Sequence, residues 1–147
     1  MSLIIRQIER ADRDEWRRLW SAYLQFYDTT LPESVFDAAF GRLTSDDPRF
    51  QGRLAVQDDK PVGLVHFLFD ESFWQPEGRI YLQDLYADPD ARGKGIGRAL
   101  IEAVYAVADQ AGRPSVWWMT QDHNATARQL YDRIGVKTPF IKYNRAG

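Results

Sequence analysis

Glycines at positions 93, 95 and 97 are the feature that most limits how this chain can fold. Residues 79–87 before them predict a strand, and the residues after them carry apolar side chains at helical spacing. Glycine has no Cβ atom, so the amide N–H groups of such a loop stay accessible beside the positive end of the helix. A strand–loop–helix unit of this kind is typical of phosphate-binding sites.

The spacing of the glycines excludes two familiar nucleotide-binding motifs. A P-loop needs four residues between its first glycine and a Gly-Lys-Ser/Thr run, and no such run occurs. A Rossmann fingerprint needs a third glycine three residues after the second, where this chain has arginine or leucine. What remains is Arg92-x-x-Gly95-x-Gly97, with Lys94 and Arg98 adding positive charge suited to a pyrophosphate. From these residues alone, a flexible surface turn with solvated basic side chains is the alternative interpretation.

The other elements are predicted from hydrophobic periodicity, in the order β-α-α-β-β-β-α-β-α-β. Strands are expected at residues 3–8, 53–57, 62–69, 79–87 and 116–120, with closing strand material at 136–143 that Pro139 interrupts. Helices are expected at residues 12–28, from residue 32 to 43, after the glycine loop as far as Gly112, and from Asn124 to Gly135. The fold class is therefore a mixed α/β sheet in a single domain spanning residues 1–147.

Composition and charge exclude several classes of function. The chain has 147 residues and a formal net charge of −2, with 19 Lys and Arg against 21 Asp and Glu. Binding of nucleic acid through a large basic surface needs a local excess of Lys and Arg, so no nucleic-acid partner is expected. Because the chain has no cysteine, disulfides, thiolate metal sites and a cysteine nucleophile are excluded, and no metal is expected.

Two segments bear on the location of the protein. The N-terminus becomes charged at Arg6, too early for the apolar region of a secretory signal. The longest apolar stretch, residues 62–69, contains His66 and is too short to span a bilayer. We therefore expect a cytoplasmic protein without a membrane partner.

A second motif follows one helix and one strand after the glycine loop. It reads Asn124-x-x-Ala127-x-x-Leu130-Tyr131-x-x-x-Gly135. Together with the glycine motif, it resembles the GNAT superfamily of acetyl-CoA-dependent N-acetyltransferases. Residues 81–98 look like the diamine and Hpa-type (histone, polyamine and D-amino-acid) branches, and residues 116–131 and 141–143 look like the Hpa type. The resemblance is strong over the C-terminal half and only topological before residue 62.

This resemblance implies a fold and a cosubstrate. The sheet would be mostly antiparallel, with a splayed central strand pair and flanking helices. The loop that would hold the pyrophosphate of acetyl-CoA consists of Arg92, Gly93, Lys94, Gly95, Ile96, Gly97 and Arg98. The pantetheine arm would pair with the backbone of the bulged strand before that loop, at Leu85, Tyr86 and Ala87. Asn124 occupies a position near the pantetheine, although its side chain equally suits the N-cap of a helix.

The same resemblance implies two catalytic residues. Tyr131 matches the tyrosine that faces the CoA sulfur and can donate a proton as a thiolate leaves, whereas core packing on its helix is the alternative role. Asp84 matches one member of an acidic pair that serves the amine in the diamine branch. Gln83 replaces the other member and cannot act as a base, so Asp84 acts through a water, holds a cationic substrate or only bonds to backbone at a strand end. Neither His66 nor His123 is assigned a role.

Aromatic side chains predict where the acetyl acceptor binds. Trp74 lies in a loop with the acidic neighbours Asp70, Glu71 and Glu77, a setting that suits an alkylammonium group. The aromatic residues of the first helix that can line the acceptor site are Tyr23, Phe26 and Tyr27. We expect Trp74 and Tyr27 to contact substrate, with hydrophobic anchoring and packing as the alternative.

The sequence therefore predicts an enzyme that transfers an acetyl group from acetyl-CoA directly to a primary amine, without a covalent enzyme intermediate. The missing cysteine agrees with direct transfer. Polyamines, amino acids, aminoglycoside-like compounds and protein lysines all remain as acceptors. A non-catalytic, acyl-CoA-binding regulatory module is the alternative function, which Gln83 leaves open. Hpa-type relatives associate through their closing strands, which implies a homodimer.

Overall fold

The structure is a computed structural model that describes residues 2–91 and 95–147. These residues form one five-stranded sheet in the order β1 to β5. The strands are β1 (Leu3–Gln7), β2 (Phe50–Gln57), β3 (Lys60–Asp70), β4 (Arg79–Ala87) and β5 (Val116–Trp117). Neighbouring strands are antiparallel except for β4 and β5, which are parallel. The prediction of a mixed, mostly antiparallel sheet is confirmed.

The four helices of the described chain divide between the two faces of the sheet. Helices α1 (Arg13–Phe26) and α2 (Glu33–Leu43) cover one face. Helices α3 (Ile96–Gln110) and α4 (Ala125–Ile134) cover the other face. Single 3₁₀ turns at Arg10–Asp12 and Pro89–Ala91 precede α1 and follow β4.

The helices bury the apolar stripes that the sequence predicts. In α1, Trp16, Leu19 and Trp20 are buried and pack with Phe36 and Phe40 of α2. On the other face, the buried stripe of α3 consists of Ile96, Leu100, Ile101, Val104 and Ala108. Burial of each large apolar side chain contributes roughly 1.5–3 kcal/mol, so these stripes hold both helix layers against the sheet.

A β-bulge in β4 changes which way its side chains point. His66 of β3 pairs with Asp84, but the next residue of β3 pairs with Leu82, so Gln83 is an extra residue. A bulge of this kind shifts the alternation of side chains by one position. Leu82 therefore packs in the core under α3, whereas Asp84 points to the α1 face and accepts a hydrogen bond from Trp20.

Strands β4 and β5 separate after a short stretch of pairing. Ile80 pairs with Val116 and Tyr81 pairs with Trp117, and the ladder ends there. Strand β4 continues to Ala87, and no described strand lies beside this later part on its β5 side. The predicted splay of the central strand pair is present at this point.

The end of the chain differs from the prediction. Strand β5 was expected at residues 116–120 but ends at Trp117, where its pairing with β4 also ends. The expected closing strand at residues 136–143 is wrong for this chain alone, since the described structure contains no strand after α4. A two-residue β5 offers little ladder for a further strand, and Pro139 lacks an N–H group for it. The predicted loop residues Arg92, Gly93 and Lys94 lie outside the described residues.

Candidate active site

A small, narrow cleft opens beside the splayed part of β4. Its walls come from α1 and the residue after it, from β4, from α4, and from the segment between β5 and α4. The residues that line it are Tyr23, Tyr27, Leu82, Gln83, Leu85, Trp118, Met119 and Tyr131. The structure therefore brings Tyr27, Leu85 and Tyr131, three of the predicted site residues, into one cleft.

Tyr131 reaches the cleft from α4. Its ring meets the Trp118 ring edge-on, with centroids 5.6 Å apart. Burial, followed by the influence of Tyr27, raises the pKa of the Tyr131 hydroxyl to about 12. A phenol with this pKa stays protonated near neutral pH and can serve as a proton donor. Tyr131 also packs against the core under α3, so core packing and a place in the cleft coexist.

Asp84 lies behind the cleft wall and is only 8% exposed. His66 Nδ1 lies 2.8 Å from Asp84 Oδ2, and Trp20 Nε1 donates to the same oxygen at 3.2 Å. On the other side of the His66 ring, Trp16 Nε1 donates to Nε2 at 2.9 Å. An indole nitrogen can only donate, so His66 Nε2 accepts and Nδ1 carries the ring proton. The partners of Asp84 in these bonds are side chains from two other elements, α1 and β3, not the backbone of its own strand.

Tyr23 connects Asp84 to the cleft. It lines the cleft from α1, and its hydroxyl interacts with the Asp84 carboxylate. Burial and then the charge of Asp84 raise the pKa of the Tyr23 hydroxyl well above its ordinary value. Asp84 is not among the described residues that line the cleft, so the cleft meets this carboxylate through Tyr23.

The edge of β4 and the start of α3 offer backbone groups that fit a CoA molecule. An open strand edge can pair with the amides of an extended arm, and β4 offers such an edge past Tyr81. Gly95 precedes α3 with φ of +74°, and a Cβ atom at this position would meet nothing within 4 Å. The first amide N–H groups of α3 have no acceptors within the helix and carry partial positive charge, as a phosphate requires. Arg98 is exposed in this first turn and pairs with Glu102 at 3.3 Å.

Asn124 forms the N-cap of α4. Its Oδ1 accepts the backbone N–H of Ala127 at 3.4 Å, and its Nδ2 donates to Thr120 Oγ1 at 3.4 Å. Of the two interpretations that the sequence allowed, the structure shows the cap. Contact between Asn124 and the pantetheine stays a prediction.

Trp74 lies away from the cleft. Its side chain is 80% exposed, and its ring meets that of Phe140 with centroids 6.4 Å apart. Two of the three acidic residues expected beside it are engaged elsewhere, since Asp70 and Glu71 each pair with an arginine. Tyr27 and Trp74, the two predicted substrate contacts, are therefore not brought together.

The sequence did not reveal the group of side chains around Asp84. His66 was assigned no role, yet it contacts Asp84 across 18 positions of sequence, and Trp20 does so across 64. The signal that would have found His66 is the register of β3 and β4, which pairs it with Asp84 only when the bulge at Gln83 is included.

Two features are absent from residues 2–91 and 95–147. No group of His, Asp and Glu side chains there is arranged to hold a metal ion. No helix in these ranges has the length and apolarity that crossing a bilayer requires.

The buried polar side chains of the described residues form hydrogen bonds within the protein, since no buried side-chain N or O atom in these ranges lacks a hydrogen-bond partner.

Known proteins resemble this chain in sequence over nearly its full length. The D-amino-acid N-acetyltransferase of Saccharomyces cerevisiae is 35% identical over 147 residues, which cover 99% of this chain and 91% of that protein. The uncharacterized N-acetyltransferase YhfO of Bacillus subtilis is 41% identical over 142 residues, which cover 95% of this chain and 94% of that protein.

A solved structure shares the fold. The aminoglycoside N-acetyltransferase AAC(6')-Iy in complex with a bisubstrate analogue superimposes with a TM-score of 0.87 at 17% identity, covering 100% of this chain and 99% of that one. The sequence model of the acetyltransferase (GNAT) family matches residues 7–136. With this match and a cleft at the splay of β4 and β5, the chain belongs to the acetyltransferase (GNAT) family.

Proposed function

We propose that this acetyltransferase moves an acetyl group from acetyl-CoA directly to a primary amine, within one domain spanning residues 1–147. The observation that carries the proposal is the position of the Tyr131 phenol, which burial keeps protonated, in the cleft beside the splayed edge of β4. A proton donor is needed where a thiolate leaves, and a strand edge suits an amide-bearing arm. Acetyl-CoA supplies the acetyl group as a thioester.

Backbone groups would hold acetyl-CoA. The start of α3 and the loop before it suit the pyrophosphate, and the outer part of β4 suits the pantetheine. The residues assigned to the pyrophosphate are Arg92, Gly93, Lys94, Gly95, Ile96, Gly97 and Arg98, and those assigned to the pantetheine are Leu85, Tyr86, Ala87 and Asn124. Support for this assignment comes from the open approach to Gly95 and from the exposed charge of Arg98.

Tyr131 and Asp84 are the residues that we assign to proton transfer. The Tyr131 hydroxyl donates its proton to the leaving sulfur. The acceptor amine is a cation near neutral pH, with the lysine pKa of about 10.4 as a guide, so it needs a negative partner. Asp84 is a buried carboxylate next to the cleft, and we assign it to attracting the amine and taking up its proton.

The acceptor is proposed from the relatives and from charge. The name of the yeast relative gives D-amino acids as its substrates. Here, a carboxylate behind the hydroxyls of the cleft favours a cationic amine, carried by an amino-acid-like compound, a polyamine or a protein lysine. Tyr27 is assigned to the acceptor side because it lines the cleft. For Trp74, substrate contact stays a prediction, since it lies outside the cleft.

We also propose that the chain forms a homodimer and works in the cytoplasm. The segment at residues 136–143 exposes four large apolar side chains, those of Val136, Phe140, Ile141 and Tyr143. A second copy would cover these side chains and provide strand partners for their backbone. Sedimentation should give twice the mass of the chain, whereas a monomer at all concentrations would contradict the dimer.

The release of free CoA thiol from acetyl-CoA tests the proposed reaction. The panel of acceptors includes polyamines, D- and L-amino acids and a lysine-containing peptide. We expect thiol release that depends on at least one amine and stops when its nitrogen is already acetylated. Tight CoA binding without amine-dependent release would contradict the enzyme and favour a regulatory CoA-binding module.

A further inference from the structure

The buried network behind the cleft begins on groups whose hydrogen-bonding roles are fixed. Trp16 and Trp20 can only donate through their indole N–H groups. Trp16 donates to His66 Nε2, which leaves His66 Nδ1 to donate to Asp84 Oδ2. Trp20 donates to the same oxygen. Asp84 is therefore the acceptor in each of these bonds, as an ionised carboxylate is.

The direction of this network determines what Tyr23 presents to the cleft. Since Asp84 accepts from Trp20 and His66, the Tyr23 hydroxyl that interacts with it can bond to it only as the donor. The phenol oxygen then has only its lone pairs to offer on the cleft side. Burial and the Asp84 charge raise the pKa of this hydroxyl, so the oxygen stays a neutral acceptor. The other titratable groups that influence Tyr23 are Tyr27, directly after the end of α1, and Tyr131 on α4.

We propose that Tyr23 binds the amine nitrogen of the acetyl acceptor, and that Asp84 and His66 act through Tyr23 as positioning residues. This inference rests on the proposed amine acetylation and adds the residue that touches the nitrogen. An N–H group of the amine donates to Tyr23 Oη, which is the kind of partner that an oxygen with only lone pairs can bind. Asp84 lies behind the wall that Tyr23 forms, so its charge reaches the substrate through this hydroxyl.

The same contact gives the amine proton a route. An N–H bond of the ammonium group breaks with its electron pair left on nitrogen, and the proton joins Tyr23 Oη. The former proton of Tyr23 moves to Asp84, so one N–H bond and one O–H bond break while two O–H bonds form. Tyr23 ends neutral, and Asp84 ends as a carboxylic acid. Nitrogen can attack the acetyl carbon only with the electron pair that this proton leaves behind, so the proton is lost before the N–C bond forms.

Replacing Tyr23 with phenylalanine removes the hydroxyl and keeps the ring. For Tyr23→Phe, we expect kcat/KM for the amine to fall by about 10²–10³, while KM for acetyl-CoA is unchanged. Tyr105→Phe is the matched control, because its hydroxyl donates to the Ile134 carbonyl outside the cleft. This control should keep the wild-type kcat/KM for the amine.

A double-mutant cycle tests whether Asp84 acts through Tyr23. If it does, Tyr23→Phe combined with Asp84→Asn loses no more activity than the more impaired single variant. Losses that multiply, or a Tyr23→Phe variant with wild-type kcat/KM, would overturn the role of Tyr23 and leave amine acetylation standing. A wild-type protein that acetylates no amine would overturn both.

His66 offers a conservative rescue that a merely structural role would not show. The amide of His66→Gln can accept from Trp16 and donate to Asp84, whereas His66→Leu can do neither. We expect His66→Gln to keep a higher kcat for the amine than His66→Leu when both are folded. Equal kcat values in the two variants would overturn the positioning role of His66.

The tautomer of His66 in the wild-type protein tests the network without any substitution, so the proposal stays testable even where Tyr23→Phe does not fold. Nitrogen NMR should find the ring proton on Nδ1 and none on Nε2. A proton on Nε2 would reverse the direction of the network and overturn the proposal.

Discussion

The two walls of the cleft are built in different ways. The wall assigned to acetyl-CoA uses backbone, namely the open edge of β4 and the first turn of α3 behind Gly95. The acceptor wall uses side chains. Tyr23 of α1 lines the cleft, and Asp84 and His66 are buried on the side of Tyr23 away from the cleft. A backbone site needs glycine and fixed spacing within one stretch of chain, so it leaves a motif in the sequence. The side-chain site joins residues that are distant in sequence, so it leaves none.

The walls also differ in how closely they are tied to the hydrophobic core. Trp16 orients His66 and is fully buried among the aromatic rings of α1 and α2. A change in the acceptor wall should therefore alter folding and activity together. Gly95 has no such contacts, so a change there should alter binding more than folding.

The largest effect is expected where the two walls meet, at Tyr131. Tyr131→Phe should lower kcat by about 10²–10⁴ because the leaving thiolate loses its proton donor. The affinity for CoA, measured by titration calorimetry, should be unchanged. Tyr105→Phe serves again as control, and a Tyr131→Phe variant with wild-type kcat at every pH would remove the acid role.

Trp16→Phe tests whether the acceptor wall contributes to the stability of the fold. The variant leaves His66 Nε2 buried without its donor, which costs about 1–3 kcal/mol. Urea unfolding should show this loss, while Trp74→Phe on the exposed loop should stay within about 0.5 kcal/mol of wild type. Equal stability of Trp16→Phe and Trp74→Phe would show that the hydrogen bond to His66 contributes nothing.

Gly95→Ala tests the wall assigned to acetyl-CoA, with a control glycine that has the same backbone conformation. Gly95 and Gly112 lie at opposite ends of α3, with φ of +74° and +70° and open space around both. Alanine at either position should cost about 1–2 kcal/mol of stability through strain. Only Gly95→Ala should also weaken CoA binding, because its methyl group would obstruct the approach of the pyrophosphate to the loop amides. Equal CoA affinity in the two variants would move the pyrophosphate away from Gly95.

The last effect is expected only at alkaline pH. Burial raises the pKa of Tyr131 to about 12, above the value of about 10 for an unfolded chain. Between these two pKa values the folded state keeps the proton that the unfolded state has lost. The contribution of Tyr131 to the free energy of unfolding is therefore fully present below about pH 10 and is lost as the pH rises toward 12. Tyr131→Phe should decline less steeply over this interval, and an equal slope would contradict the raised pKa.

Local patterns predicted most of the fold. Strand β4 was expected at residues 79–87 and spans Arg79–Ala87, because the aspartates and proline that end it are adjacent in sequence. The bulge at Gln83 and the early end of β5 were not predicted, since both depend on how strands pair. The exposed end of the chain was expected as a strand because its composition suits one, but composition supplies no partner.

The site divides in the same manner. Tyr131 was predicted from a motif carried by one helix, and the structure places it in the cleft. The place of His66 was missed because a histidine in an apolar strand looks like any packed residue until the register sets it opposite Asp84. Trp74 was predicted as a substrate contact because of its acidic neighbours, but only the folded chain reveals that Asp70 and Glu71 pair with arginines.

A structure of the protein with CoA and an unreactive analogue of its amine substrate tests the division between the two walls most directly. The account predicts the CoA sulfur within hydrogen-bond distance of Tyr131 Oη, the pyrophosphate at the start of α3, and the amine nitrogen on Tyr23 Oη. A sulfur remote from Tyr131, or an amine bound directly to Asp84 with Tyr23 turned away, would contradict it.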